Sequence, residues 1–316
     1  MEVKRYGAEE ARTWDLAVTA SRQGTFLLMR DYMDYHADRF TDTSLLFYDG
    51  SHGRLRGVLP ATVDGDTAVS HGGLTYGGLL TPAGVGTLET MEMLSAALDW
   101  FRRETPCRRL LYKPVPHIYH TQPAEEDLYA LFRLGGRLVG RSVAQVTALG
   151  QGKLTTLRRR GVNKARKNGL AVSHAASPED WRAYWAVLTA VLTERHGRMP
   201  VHTLDEIMLL HGRFPQQVRL FTVKRDGVVL GGCVVYVTRR VAHVQYIAAG
   251  DEGRGLGALD LLFSELNSEA CFPQCRYFDF GISTEQGGAW LNEGLAFQKE
   301  GFGGRGVCYD EYEIAL

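Results

Sequence analysis

The sequence has 316 residues, of which 45% are hydrophobic and 23% are charged, and its 36 basic residues balance 36 acidic ones. This composition excludes a disordered chain, and the zero net charge excludes a global electrostatic attraction to nucleic acid or membrane. No apolar run approaches the ~20 residues that a transmembrane helix needs, which leaves only peripheral contact with a membrane open.

The first half of the chain is predicted to start with a strand, EVKRYG, and two helices with apolar residues at helical spacing. Three short strands separated by Gly-containing turns follow, as in an antiparallel meander. A long amphipathic helix, a strand, a helix and a last strand complete this half. The segments are, in order, AEEARTWDLAVTA, FLLMRDYMDYHADRF, SLLFYD, GRLRGVLPATV, TAVSHGG, TLETMEMLSAALDWFRRE, RRLLYKPV, AEEDLYALFRLG and RLVGRSVAQVTAL.

The second half repeats that order, beginning with the strand LAVSHAA. Ser177 is suited to cap the next helix, with Pro178 at its first position and Asp180 at its third. A further helix, a second meander, a long helix from about Leu256, the strand CRYFDFG, a helix and a final strand follow. We therefore predict two copies of one α+β domain. The predicted ranges are 1–150 for the first domain, 151–168 for a basic inter-domain helix and 169–316 for the second domain.

The five cysteines are odd in number and have no CxxC spacing, which argues against a disulfide framework and against a zinc site. The first residues, MEVKRYGAEEARTWD, contain no apolar segment of the kind that a signal peptide needs. We therefore expect a cytoplasmic protein without a metal. The cysteines are Cys107, Cys233, Cys271, Cys275 and Cys308.

The predicted order of elements resembles that of the GNAT acyltransferase superfamily over nearly the whole chain. Its tandem form, with a basic helix between the copies, resembles the Fem family, which adds amino acids to peptidoglycan precursors, and related N-acetyltransferases of cell-envelope clusters. The resemblance rests on LRRRGVNKARKNGLAV, YFDFG and FQKEGFGG. It implies two mixed, mainly antiparallel sheets flanked by helices.

The glycine-rich segment GDEGRGLGALDLL lies between a predicted strand and a predicted helix, and three interpretations of it are open. In the GNAT superfamily a loop here holds the pyrophosphate of acyl-CoA, which would make Arg254, Gly255 and Gly257 cofactor-binding residues. The same glycines partly match a dinucleotide fingerprint, but a Rossmann unit needs parallel strands rather than a meander. The third interpretation is a turn whose glycines permit positive φ and close packing.

The charges of this glycine-rich segment bear on the choice among the three interpretations. Asp251 and Glu252 stand where a diphosphate would approach, and Arg254 only partly offsets them. We therefore expect no tightly bound cofactor, and acyl-CoA or aminoacyl-tRNA would act as a co-substrate.

Between Lys153 and Lys167 the chain has seven basic residues and no acid. On a helix the apolar residues of this stretch gather on one face and most of the cations on the opposite face. A solvated surface is one interpretation. The other is a site for a phosphate-bearing ligand, because so much unbalanced charge costs repulsion energy. The Fem resemblance implies contacts with a substrate diphosphate or tRNA, with Arg158, Lys164 and Lys167 as candidate substrate-binding residues.

The candidate catalytic residues are His243, Tyr246, Asp279 and Lys299. Amide formation requires that an ammonium lose a proton, attack an acyl carbonyl and release a protonated leaving group. His243 or Tyr246 suits either proton transfer, but strand alternation puts them on opposite faces unless the strand has a bulge. Asp279 suits a base, and Lys299 suits stabilisation of an oxyanion or a phosphate. A structural role is the alternative for each.

The segment KPVPHIYHTQPAEEDLYALF combines two prolines near its start with histidines and a tyrosine. Such a stiff, polar, aromatic loop suits recognition of a sugar or peptide acceptor. The candidate substrate-binding residues of the first half are Lys113, His117, Tyr119, His120, His71 and Tyr76.

The sequence lacks the GxSxG, GxxxxGK[ST] and HExxH motifs, which excludes the serine-hydrolase, P-loop and zincin readings. The leading prediction is an acyltransferase that moves an acyl or aminoacyl group from acyl-CoA or aminoacyl-tRNA to an amino group of a cell-envelope precursor. A nucleotide-linked amino sugar and a muropeptide are such precursors. Its partners would be a phosphate-bearing acceptor and tRNA, but not DNA. The alternative is a non-catalytic module of the same fold that binds a phosphate-bearing ligand or RNA.

Overall fold

The computed structural model describes residues 1–50, 52–175, 177–268 and 270–316. Two compact units make up the chain, and neither is continuous in sequence. Unit 1 consists of Met1–Val143, Thr284–Trp290 and Cys308–Leu316, and unit 2 of Ala144–Ser283 and Leu291–Val307. This division differs from the predicted linear ranges, because unit 2 contains the basic helix and unit 1 contains the end of the sequence.

The described residues before residue 137 form seven strands and four α-helices. The strands are β1 (Glu2–Arg5), β2 (Thr41–Asp42), β3 (Leu45–Tyr48), β4 (Leu55–Leu59), β5 (Thr62–Asp64), β6 (Thr67–Val69) and β7 (Arg109–Tyr112). The helices are α1 (Ala11–Ala20), α2 (Arg30–Met33), α3 (Thr87–Glu104) and α4 (Glu126–Arg133).

The described residues from 137 onward form nine strands and six α-helices. The strands are β8 (Arg137–Ala148), β9 (Ala171–Ala175), β10 (Val218–Arg225), β11 (Val228–Val237), β12 (Val241–Ala249), β13 (Tyr277–Ile282), β14 (Thr284–Glu285), β15 (Trp290–Leu291) and β16 (Arg305–Ala315). The helices are α5 (Thr156–Lys167), α6 (Pro178–His196), α7 (Leu204–Arg213), α8 (Asp251–Leu256), α9 (Ala258–Leu266) and α10 (Glu293–Glu300).

Unit 1 has a small sheet of β1, β3 and β4 and a second run of strands in the order β2-β5-β6-β7-β16. Within that run β6 and β7 are parallel, whereas β7 and β16 are antiparallel, with Tyr112 opposite Tyr312. Side chains of α3, β3 and β7 form the core together with Ile314 of β16. The unit therefore draws part of its core from the last residues of the sequence.

Unit 2 has its strands in the order β8-β13-β12-β11-β10-β9. The strands β9 to β12 form an antiparallel run, and β12 and β13 are parallel. Phe263 of α9 packs against Phe278 and Phe280 of β13 on one face of the sheet. Val162 and Ala165 of α5 belong to the same core, so the apolar face of the basic helix is buried as predicted.

Local signals explain where several helices begin. The Ser177 hydroxyl accepts a hydrogen bond from the Asp180 amide and Pro178 is the first helical residue, which confirms the predicted start of α6. Thr203 and Glu206 form a capping box at α7. The predicted helix FLLMRDYMDYHADRF is instead broken into short turns around α2, because Met29 has extended backbone angles (φ −78°, ψ 151°).

In the described residues, no helix combines the length and the apolar character that crossing a membrane would require.

Candidate functional site

The strands β12 and β13 pair for three residues and then separate. The pairs are Val241 with Tyr277, Ala242 with Phe278 and His243 with Asp279. Beyond them β12 continues beside β11, while β13 continues beside β8 with an irregular register after Asp279. We call the opening between the two strands, which begins at the His243–Asp279 pair, the fork. Paired residues point to the same face of a sheet, so both side chains meet there.

His243 and Asp279 form a hydrogen-bonded pair at the fork. The distance from Nδ1 of His243 to Oδ2 of Asp279 is 2.8 Å, and Oδ1 of Asp279 accepts the Gly281 amide at 2.7 Å. Asp279 is fully buried, whereas 15% of the His243 side chain is exposed. A carboxylate whose two oxygens both accept fixes the imidazole with its proton on Nδ1. The lone pair of Nε2 is then the proton acceptor that the pair offers.

Lys299 holds the end of β13 in place. Its ammonium donates to the carbonyl oxygens of Gly281 at 2.8 Å and of Ile282 at 2.6 Å, and the residue is 7% exposed. Burial lowers the pKa of Lys299 to about 8, against an opposite effect of the Asp279 charge. Gly281 has φ +78°, a conformation that L side chains rarely adopt. Lys299 therefore fixes the turn whose amide reaches Asp279, and one of its three donors remains for a ligand.

A β-bulge brings Tyr246 to the face of His243. Val234 pairs with Tyr246 and Tyr236 pairs with His243, while Gln245 is passed over in the register. Because residues 234 and 236 point to one face, His243 and Tyr246 share that face. Strand alternation alone predicts that His243 and Tyr246 lie on opposite faces. The prediction named a bulge as the exception, and the structure contains one.

Tyr246 has a partner that sequence reasoning missed. Its hydroxyl lies 2.5 Å from Nδ1 of His202 and accepts the backbone amide of His202 at 3.2 Å. Burial raises the pKa of Tyr246 to about 12, so the phenol is neutral near pH 7, and the tautomer of His202 sets which of the two groups donates. No sequence signal connects His202 with a strand 44 residues away. Gly281 was also missed, although a glycine directly after the strand YFDF is a recognisable candidate for positive φ.

The corresponding strands of unit 1 carry no such pair. In the parallel pair β6 and β7, the third position holds Val69 opposite Leu111. Beyond it the Ser70 amide donates to the Leu111 carbonyl at 2.8 Å, and the Lys113 amide donates to the Ser70 hydroxyl at 2.7 Å. The Gly77 amide then donates to the Lys113 carbonyl at 2.9 Å. These bonds close the opening between β6 and β7.

Most candidate substrate-binding residues of the first half are buried. Tyr76, Tyr119 and His71 are each 2% exposed, and the Tyr119 hydroxyl lies 2.9 Å from that of Tyr309. Burial lowers the pKa of His71 to about 3 and that of His120 to about 4. Both imidazoles are therefore neutral near pH 7.

The two remaining candidates of the first half differ in exposure. Lys113 donates to the Leu74 carbonyl at 2.5 Å, and burial lowers its pKa to about 8. His117 is exposed. Of the six candidate residues, His117 is the one that is exposed to a ligand in solution.

The glycine-rich segment is helical rather than an open loop. It forms α8, which ends at Gly257 (φ +81°), and α9 starts at the next residue. A Cβ on Gly257 would lie 2.6 Å from the Gly161 carbonyl oxygen, and one on Gly253 would lie 2.4 Å from that of Leu230. These two glycines permit close packing. Gly255 is exposed, with open space around its Cα.

The charges around α8 are already paired. Asp251 contacts Arg195 at 2.9 Å and also Arg254, and Glu252 pairs with Arg225. The Arg254 guanidinium also donates to the Ala249 carbonyl at 3.0 Å. Since the first turn carries two carboxylates and Arg254 bonds within its own segment, this geometry gives no support to a tight diphosphate site.

The cations of α5 divide into two groups. Arg158 packs inward, pairs with Asp260 at 2.8 Å and lies over the Phe302 ring. Lys164 and Lys167 are exposed, and neither has an ion pair within the described part of the chain. A phosphate-bearing ligand could reach the two lysines, whereas Arg158 joins α5 to α9.

Comparison with known proteins agrees with this geometry. A family model for the acetyltransferase (GNAT) domain matches residues 152–288. This range contains α5, the fork and the His243–Asp279 pair. No curated protein sequence matches the chain.

Solved structures are similar over almost the whole chain. The crystal structure of FemX has a TM-score of 0.70 at 13% identity and covers 100% of this chain and 98% of its own. The C-terminal domain of a putative lysylphosphatidylglycerol synthetase from Agrobacterium fabrum has a TM-score of 0.61 at 13% identity, with 98% and 91% covered. A tandem GNAT protein from the clavulanic acid biosynthesis pathway has a TM-score of 0.53 at 14% identity, with 99% and 98% covered.

Residues 152–288 are therefore similar to a GNAT acetyltransferase domain. The architecture of the chain is that of tandem GNAT proteins, in agreement with the predicted α+β class. Within this class its fold resembles that of FemX.

Proposed function

We propose that this protein is an acyltransferase that forms an amide by moving an acyl or aminoacyl group to an amino group of a cell-envelope precursor, with His243 as the general base. The observation that carries the proposal is the buried His243–Asp279 pair at the mouth of the fork. It supplies an oriented Nε2 where two parallel strands separate. The closed opening of unit 1 supports a single reaction centre in unit 2.

The proposed reaction releases one proton to solvent for each amide formed. The acceptor ammonium first loses a proton to water, and Nε2 of His243 takes a second proton as the nitrogen bonds to the acyl carbon. When the tetrahedral intermediate collapses, the C–S bond of a thioester or the C–O bond of an ester breaks. The imidazolium returns its proton to the leaving sulfur or oxygen. Asp279 stabilises the imidazolium in between, because its charge lies 2.8 Å from Nδ1.

Both donor classes fit this scheme. The paired charges around α8 weaken the case for a tightly held CoA diphosphate, and the exposed Lys164 and Lys167 favour a donor or acceptor that carries phosphates. The similar folds of FemX and of a putative lysylphosphatidylglycerol synthetase support an envelope precursor as the acceptor, since the second is named for a lysine attached to a phospholipid.

The test is label transfer. Purified protein is incubated with radiolabelled acetyl-CoA or with tRNA charged with a labelled amino acid, each with a nucleotide-linked amino sugar or a muropeptide. We expect one donor to label one acceptor in an amide linkage. His243→Gln should lower the rate by roughly 10²–10⁴-fold, as expected for loss of a general base.

His174→Gln is the matched control, because His174 is an exposed histidine of β9 in the same unit. It should leave the rate unchanged. Label transferred to neither acceptor would favour the alternative, a non-catalytic module that binds a phosphate-bearing ligand or RNA. A His243→Gln variant as active as the wild type would reject His243 as the base.

A further inference from the structure

A second cavity in unit 2 lies at the opposite end of β13 from the fork. Its volume is about 510 Å³, and its lining comes from the end of β8 and from the segment between Pro273 and Tyr277. That volume is within the roughly 300–1,000 Å³ of small-molecule pockets. Tyr277 is the first residue of β13 and Asp279 is the third, about 7 Å further along the strand. The fork opens beyond Asp279, so the cavity and the fork are two separate sites on unit 2.

One arginine lines this cavity, and two more lie near its lining residues. Arg276 lines it directly. The carbonyl of Arg240 accepts the amides of Arg276 at 2.7 Å and of Tyr277 at 3.0 Å, which puts Arg240 beside the lining, and its Nε is buried without a hydrogen-bond partner. The positive charge of Arg219 lowers the pKa of the thiol of Cys275, another lining residue, by less than burial raises it. The cavity therefore lies in a positive field.

These arginines lack the carboxylate partners that other cations of unit 2 have. Arg158 pairs with Asp260, Lys224 with Asp180 and Arg225 with Glu252. In contrast, no ion pair within the described residues involves any of the three arginines around the cavity. The Arg219 guanidinium donates to the carbonyl of Gln216 at 2.8 Å, and that of Arg276 lies 5.6 Å from the Tyr277 ring centre.

The lining itself contributes no negative charge. Burial raises the pKa of Cys275 to about 12, with a smaller opposite effect of Arg219, so the thiol is neutral. Its Sγ lies 3.5 Å from the Thr238 carbonyl oxygen. The side-chain amide of the exposed Gln151 and the hydroxyl-bearing side chain of Tyr277 are further neutral polar groups of the lining. The guanidinium groups near this cavity have no carboxylate partners in the part of the chain that the structure describes, and they repel one another. An anion bound in the neutral cavity relieves that repulsion.

We propose that this cavity binds a small phosphate-bearing ligand, with Arg276 and Arg240 as its cationic contacts and Gln151 as a hydrogen-bonding group. A phosphate fits better than a carboxylate, because its dianion and three acceptor oxygens satisfy several guanidinium donors at once. The same chemistry is offered by a free diphosphate and by a nucleotide. The Tyr277 ring and Pro273 in the wall provide an apolar surface that a nucleotide base would cover.

Isothermal titration calorimetry with inorganic pyrophosphate and with ADP tests the proposal. No acyl donor is present, so the result is independent of the proposed acyl transfer. We expect one site per chain. Arg276→Ala, Arg276→Gln and Arg240→Ala should each weaken binding by at least about tenfold, the value of one charge-assisted hydrogen bond. Pyrophosphate and ADP of equal affinity would indicate a diphosphate site, and tighter binding of ADP a nucleotide site.

Arg182→Ala is the control, since Arg182 is an exposed arginine of α6 that pairs with Glu179 on its own helix. It should bind like the wild type, and all variants should keep the wild-type melting temperature within a few degrees. Absence of binding of both compounds, or equal affinity in the wild type and in all three cavity variants, overturns the proposal. A short RNA that binds through Arg276 while pyrophosphate and ADP do not would also overturn it, since the ligand would then be a polymer.

Discussion

In the proposed mechanism Asp279 acts on the reaction through His243, and its substitution should show this. In Asp279→Asn one oxygen is replaced by an amide NH₂, so the side chain can no longer accept from both His243 and the Gly281 amide. We expect kcat to fall by roughly 10²–10⁴-fold with a smaller change in KM, because the imidazole loses its fixed tautomer.

Two quantities are measured, the value of kcat and its dependence on pH. The limb at low pH, which reports deprotonation of the base, should move in Asp279→Asn, whereas a purely structural defect would lower the whole profile without moving it. Asp205→Asn is the control, because Asp205 is exposed in the first turn of α7. An unmoved profile in Asp279→Asn would reject the positioning role.

Lys299 should make stability depend on pH in the alkaline range. Burial lowers its pKa from 10.5 to about 8, so between these values the unfolded chain binds more protons than the folded one. The free energy of unfolding therefore gains about 3 kcal/mol from this residue as the pH rises from 8 to 10.5. Lys299→Met should remove this gain.

Urea unfolding at a series of pH values measures the gain as the difference between wild type and variant. Lys113→Met in unit 1 should remove a gain of the same sign, since burial lowers the pKa of Lys113 to about 8 as well. The exposed Lys167→Met should not. An alkaline rise that persists unchanged in Lys299→Met would show that the ammonium is not held as described.

At the scale of elements, the break between α8 and α9 depends on one glycine. Gly257 has φ +81°, and a Cβ there would lie 2.6 Å from the Gly161 carbonyl of α5. Gly257→Ala should therefore lower the free energy of unfolding by roughly 1–3 kcal/mol. Gly255→Ala, two residues earlier in open space, should be neutral or stabilise by up to ~1 kcal/mol. Thermal unfolding of both variants is the measurement, and equal effects would contradict the packing role of Gly257.

Sequence patterns predicted the elements with local causes and missed those with distant ones. The cap at Ser177 lies three residues from its partner, so it could be predicted and was confirmed. The break at Gly257 depends on α5, about 95 residues earlier in the chain. The helix predicted from about Leu256 corresponds to α9, whereas the short helix α8 before the break was not predicted. The bulge at Gln245 likewise follows from the register with β11, which alternation along one strand does not contain.

The candidate site was predicted in its residues but not in its geometry. His243 and Asp279 were both candidates, yet their contact depends on the parallel register of strands that are 36 residues apart. Lys299 was expected to face a substrate, and the structure gives two of its donors to backbone carbonyls. Their roles in catalysis remain predictions for the experiments above.

At the scale of the molecule, unit 1 is incomplete without the end of the sequence. Ile314 is 2% exposed in its core, and β16 pairs with β7. We expect a fragment of residues 1–150 to lack a cooperative unfolding transition, because it leaves the edge of β7 unpaired. A peptide of residues 305–316 added in trans should restore the transition, as measured by circular dichroism. The same peptide with Ile314→Asp should not, and a fragment that unfolds cooperatively alone would contradict this division.

The return of β16 to unit 1 also has a consequence during translation. The last segment of unit 2 ends at Val307, while that of unit 1 ends at Leu316. At roughly 5–20 residues per second, residues 1–143 wait on the order of 10–35 s on the ribosome before their final strand is made. Throughout that time the nascent chain has an unpaired β7 edge, which makes unit 1 the part that a ribosome-bound holdase would have to shield.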